Sequence, residues 1–149
     1  MFLLDKINLF PKYFSPAEFK IPFTDWVTIL QKIEQRYIIK ENSNYHFSNW
    51  ALHIRQPNKL TSLSKSQLQV YLQQHLSETD NYWVVMDFSK HYVYDCKLTA
   101  LRSLIGISKE DFFIVDKRYA WFTYFNREPD TVHVYSSGSS PTPFNPPGI

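Results

Sequence analysis

The chain has 149 residues and a net charge of +2, enough for one domain-sized core, and its three glycines leave no material for a Gly-rich phosphate loop. Its single cysteine, Cys96, excludes an internal disulfide, and the lack of a Cys cluster or an HExxH motif argues against zinc. Twelve Phe, ten Tyr and four Trp are more than such a core absorbs, so some are expected on a recognition surface.

Charge is unevenly placed. Residues 1–77 carry nine basic and five acidic side chains, whereas residues 78–130 carry seven and nine. The second half is therefore expected to offer acidic groups to a basic partner, and the gradient is too shallow for a nucleic-acid binder. The start, MFLLDKINLF, reaches Asp5 and Lys6 after three apolar residues with no small-residue cleavage site, and no apolar run is long enough for a membrane span. A cytoplasmic protein with no membrane partner and no cofactor is expected.

In chain order, residues 6–13 read as a lead-in ending near Pro11. Ser15, Pro16 and Glu18 form a capping-box pattern that predicts one or two helical turns before Pro22. Thr24 or Asp25 caps a helix whose apolar positions are Trp26, Ile29, Leu30, Ile33 and Tyr37. Residues 47–54 fit either an edge strand or a short helix with Trp50 and Ile54 four apart; Pro57 and Asn58 favour the strand. Ser64 and Gln67 open a further helix through about Leu76, with Leu68, Tyr71 and Leu72 inward.

From Tyr82 the period changes to alternation. Residues 82–88 (YWVVMDF) and 91–95 (HYVYD) predict an antiparallel pair about Ser89-Lys90. Residues 98–105 predict a short helix ended by Gly106 at a C-cap position. Residues 112–125 (FFIVDKRYAWFTYF) predict a hairpin with a loop longer than two residues, and residues 131–135 (TVHVY) a last strand. Phe112 and Ile114 share one face, Phe113 and Val115 the other, so this hairpin should lie centrally in a sheet covered on both sides. The expected fold is α+β, with N-terminal helices packed on an antiparallel meander of about five strands and one inserted helix. Residues 1–135 form one domain in this reading, and residues 136–149, rich in Ser and Pro, a mobile tail.

Chemistry is sparse. His91 and Asp95 share a strand face next to Cys96, and His133 alternates with Val132 and Val134, which gives an enzyme built on His91/Asp95 or His133 as a third-ranked reading. Aromatic strands with Lys117 and Arg118 as phosphate contacts would suit single-stranded nucleic acid, although the acidic second half argues against it. No metal site is expected. The groups that packing does not explain lie at the hairpin turn, Asp116, Lys117, Arg118 and Tyr119, and among nearby acids and tyrosines. Asp87, Tyr92, Tyr94, Asp95, Tyr124, Glu128 and Asp130 complete the candidate partner-binding set.

The segment 112–121 (FFIVDKRYAW), preceded by Tyr82-Trp83-Val84-Val85 and Tyr92-Val93-Tyr94, resembles a family of small bacterial α+β domains of unknown function. More loosely it resembles immunity proteins of contact-dependent or polymorphic toxin systems. Residues 126–130 read NREPD where that pattern places a His-containing loop, so no site is carried onto the loop. The resemblance implies a non-enzymatic cytoplasmic protein that binds a cognate toxin domain, such as a nuclease, and occludes its active site or substrate surface.

Overall fold

β5 (Phe112–Asp116) is apolar on both faces, and each face has its own cover. The computed structural model describes residues 3–21, 26–39, 47–86 and 93–137. Within them a seven-stranded antiparallel sheet runs in the order β1-β4-β3-β5-β6-β7-β2, with β5 at its centre. The other strands are β1 (Phe19–Lys20), β2 (Pro57–Ser64), β3 (Asn81–Val85), β4 (Val93–Lys97), β6 (Phe122–Arg127) and β7 (Thr131–Ser137).

One face packs on α1 (Leu3–Asn8), α3 (Leu68–His75) and α4 (Leu98–Ile107). Their Ile7, Leu68, Leu72, Leu101 and Leu104 meet Tyr82, Val84, Tyr94, Phe112, Ile114 and Phe125 of the strands. Phe112 and Phe125 are register partners and stack with centroids 4.5 Å apart. The other face packs on α2 (Trp26–Tyr37) and a 3-10 turn (Phe47–Leu52). There Ile29, Ile33, Tyr37 and Trp50 bury against Val85, Phe113, Val115 and Phe122. The Trp50 indole N–H donates to Glu34 on α2 at 3.3 Å, tying the turn to the helix.

The α+β class holds, but the sheet has seven strands, not five. The two additional strands are its edges. β2 (PNKLTSLS) has no apolar alternation and is a strand because it pairs along β7, with a bulge between Lys59 and Thr61. β1 is two residues laid against Cys96 and Asp95 of β4. That pairing also explains why residues 15–18 make a turn and not the predicted helix. Half of the capping box is present, since the Ser15 N–H donates to the Glu18 carboxylate at 3.0 Å, but Phe19 leaves at once for the sheet.

Three further expectations are corrected. Residues 47–52 are 3-10 and not an edge strand; only Ile54 makes a bridge, to Ile38. The lead-in over residues 6–13 begins inside α1 and continues as a 3-10 turn at Phe10–Lys12. Gly106 lies inside the last turn of α4 and Ser108 is the C-cap. The capping box at Ser64 is present in both halves, with the Ser64 N–H donating to Gln67 Oε1 at 2.8 Å, and leads through a 3-10 turn into α3. β7 runs through Ser137, two residues into the stretch expected to be mobile, and both Ser136 and Ser137 are buried. The rest of that stretch, the Thr24 or Asp25 cap, and the Ser89-Lys90 turn lie outside the described residues.

Candidate functional site

The turn from β5 to β6 is held by its own hydrogen bonds. The Tyr119 N–H donates to the Asp116 carbonyl at 3.0 Å, and the Asp116 carboxylate accepts from the backbone N–H groups of Ala120 at 2.6 Å and Trp121 at 3.2 Å. Asp116 is thus occupied in shaping the turn. Tyr119 has φ 56°, a left-handed backbone that costs a non-glycine residue about 1–2 kcal/mol. Its carbonyl accepts a hydrogen bond from the hydroxyl of Tyr37, the last residue of α2. Tyr37 is itself buried and stacked on Phe122 at 5.2 Å, and burial raises its phenol pKa, so it is a protonated donor at neutral pH. A rigid helix therefore fixes a strained loop. Strain of this kind persists only where surrounding structure over-determines it.

Lys117 leaves the turn across the sheet. Its Nζ lies 3.3 Å from the centroid of the Trp83 ring and 2.7 Å from Asp95 Oδ2. Trp83 and Asp95 are register partners on β3 and β4, so pairing alone puts ring and carboxylate side by side. Asp95 Oδ1 accepts from Asn81 Nδ2 at 2.9 Å, and Asn81 Oδ1 accepts from Lys97 at 3.0 Å. The lysine side chain is 33% exposed and the aspartate 20%, so water screens the pair. Ion pair and cation–π contact together are worth about 1–2 kcal/mol, more than a free surface pair.

A pocket flanks each side of the turn, and Arg118 lines both. One, of ≈ 790 Å³, is walled by His75, Tyr82, Trp121, Glu78, Asp80 and Asp116, with Lys117. Tyr82 and Trp121 have centroids 5.8 Å apart, and burial lowers the His75 pKa. The second, of ≈ 500 Å³, is lined by Lys32, Gln35 and Arg36 of α2 with Arg118 and Tyr119. Lys32 Nζ sits 5.6 Å from the centroid of the Tyr119 ring.

Of the candidate residues, Asp95, Asp116, Lys117, Arg118 and Tyr119 are together at this end of the sheet. Glu128 and Asp130 are exposed at the other end, across the length of β6, roughly 20 Å. Asp87 and Tyr92 lie outside the described residues, as does His91. Two tyrosines are corrected. Tyr94 is fully buried among the side chains facing α4, and Tyr124 is 6% exposed with its hydroxyl donating to Asp111 at 2.6 Å. Neither has surface to offer, because the sheet is covered on both faces where they stand.

The enzymatic candidates are separated too. Cys96 is buried on the face opposite Asp95, and burial pushes its thiol well above the usual range, so it is not poised as a nucleophile. His133 makes a cross-strand bond to Ser62 at 3.0 Å and lies 3.6 Å from Glu128. Among the described residues no group of three His, Cys, Asp or Glu could hold a metal ion, and no helix is long and apolar enough to cross a membrane.

Comparison with known families bears on residues 3–140, which match the model of a family of unknown function, DUF6756. The chain belongs to this family. No curated protein and no solved structure matches it. The DUF6756 match spans every strand and helix described above, and with them the whole turn site. It agrees with the unknown-function family of the resemblance and does not extend to toxin immunity proteins.

Sequence reasoning missed Tyr37, Trp83, Asn81, Lys32 and Arg36. Lys32 and Arg36 are one turn apart on the polar face of α2, a visible signal, but nothing local says which loop that face meets.

Proposed function

We propose that this DUF6756 chain is a protein-binding module, a cytoplasmic immunity protein that neutralises a cognate bacterial toxin domain by occluding its active site or substrate surface. The observation that carries the reading is the locked β5–β6 turn, a strained loop fixed by a buried helix residue that presents Lys117, Arg118 and Tyr119 between two pockets. Arg, Tyr and Trp are the residues that dominate binding energy at protein interfaces, and a loop rigid before binding loses little entropy on docking.

The competing readings have less support. Single-strand binders use an open sheet face as a stacking platform, and here Tyr94, Phe113 and Tyr124 lie under helices or neighbouring side chains. For an enzyme on His91/Asp95 or His133, His91 lies outside the described residues, Asp95 is engaged by Lys117 at 2.7 Å, and His133 is bonded to Ser62 at 3.0 Å. The experiment is co-expression with a toxin domain encoded beside this gene, reading complex formation on a sizing column and rescue of growth. A stable complex with rescue is expected. Absence of both with every neighbouring toxin domain would end the proposal.

A further inference from the structure

We infer that the pocket between α2 and the β5–β6 turn is a docking site for an acidic segment of the protein partner, with Lys32, Arg36 and Arg118 meeting its carboxylates. The inference rests on the partner-binding reading and adds the sign of the charge that the partner brings to this turn.

The first observation is the contrast between neighbouring cations. Lys117 is neutralised by Asp95 at 2.7 Å. Lys32, Arg36 and Arg118 have no carboxylate within ion-pair distance among the described residues, and none lines their pocket. Three like charges converge from two separate elements. Lys32 and Arg36 rest near the Tyr119 and Tyr37 rings, at 5.6 and 5.9 Å, which balances little of their charge, so their convergence without a carboxylate raises the local potential and is unfavourable until an anion arrives.

The second observation is how Arg118 is brought there. It directly precedes Tyr119, whose φ of 56° is held by the hydrogen bond from Tyr37, one residue beyond Arg36 on α2. The same helix thus supplies two of the cations and anchors the loop bearing the third. Guanidinium groups match carboxylates in a two-pronged geometry, and the half-buried Tyr119 ring forms an apolar wall beside them.

The third observation limits the length of the anion. Across the turn the adjoining pocket is lined by Glu78, Asp80 and Asp116, with Arg118 at its edge and Lys117 already paired to Asp95. A nucleic-acid strand needs cations along its course and would run from the basic pocket into those three carboxylates. A short acidic loop fits within the basic pocket and stops before them.

The test is an NMR titration of the full chain with a hexaglutamate peptide, alongside a single-stranded oligonucleotide of equal charge. Amide shifts from the peptide should centre on Lys32, Arg36, Arg118 and Tyr119, weaken with salt, and require about tenfold more peptide in Arg118→Glu. Peptide shifts elsewhere, or tighter binding of the oligonucleotide at these residues, would overturn the inference. Arg118→Ala, a milder change at an exposed position, should weaken peptide binding in the same direction, with circular dichroism checking the fold. Where a toxin complex forms, Arg118→Glu should weaken it by about tenfold and Glu128→Lys, at the far end, should not. A complex indifferent to Arg118→Glu refutes the docking site and leaves the toxin reading standing. Peptide binding at the pocket with no toxin complex supports the site and removes the toxin reading.

Discussion

Removing one oxygen atom tests the link between α2 and the turn. In Tyr37→Phe the ring keeps its stack on Phe122 at 5.2 Å, so the hydrophobic contribution is unchanged, and what is lost is the hydroxyl's bond to the Tyr119 carbonyl together with its contact with the Arg36 side chain. A net hydrogen bond is worth about 0.5–1.5 kcal/mol, and a carbonyl left without its partner in a half-buried place raises the cost toward about 2. The left-handed backbone at Tyr119 stores about 1–2 kcal/mol, so the bond and the strain it opposes are of one size. Without the bond the turn is expected to relax, returning part of the strain and limiting the net loss to about 1–2 kcal/mol. For a chain of this length that is roughly 2–8 °C in Tm. Urea unfolding followed by fluorescence gives the stability. Hydrogen exchange at Arg118 and Tyr119 should quicken while the centre of β5 stays protected. Tyr13→Phe, at a residue 74% exposed, is the control. If Tyr37→Phe matches that control to within about 0.3 kcal/mol and exchange in the turn is unaltered, the hydroxyl is not what holds the loop.

Phe112→Ala removes a fully buried ring from its 4.5 Å stack and is expected to cost about 3–5 kcal/mol, a large part of the roughly 5–15 available to a domain; a loss below about 1 kcal/mol in urea would contradict the central position of β5. Burial pushes the Tyr71 phenol up to about 12 from 10.0, and raises Tyr94 and Tyr124 as well. The folded state then keeps protons that the unfolded chain has released, so this stability is complete below about pH 10 and is lost as pH climbs toward about 12. Urea midpoints measured against pH should fall across that window, less steeply in Tyr71→Phe, and a flat profile would refute the assignment. Cys96, buried and with its thiol pushed up, should react with an aromatic disulfide reagent only after unfolding; full labelling of the native chain within minutes would show that its side of the sheet is open.

The elements legible in the sequence are those whose signal is local. The apolar period of α2, the capping box at Ser64 and the two-faced run in β5 each follow from neighbours a few residues away. β2 carries no such signal: PNKLTSLS becomes a strand because β7 offers it a ladder, and that partner is some seventy residues distant. Tyr94 and Tyr124 show the limit of alternation. A tyrosine under a helix and one facing water have the same sequence neighbours, and only the cover decides. The site divides the same way. Asp116 through Tyr119 stood out because packing did not account for them, whereas Trp83 joins Lys117 through strand pairing and Arg36 joins Arg118 through the seat of a helix.

The two edges of the sheet bear on how any partner approaches. β1 is only two residues long, and β2, though eight long, begins with Pro57, carries Lys59 and is broken by a bulge. Strand-to-strand zipping needs a flat, regular row of free amides and carbonyls, and these edges interrupt it with a missing donor, a charge and a kink. For the protein partner proposed above, such edges leave recognition to side chains and not to backbone templating, and the β5–β6 turn is the end of the sheet that presents side chains on a fixed loop.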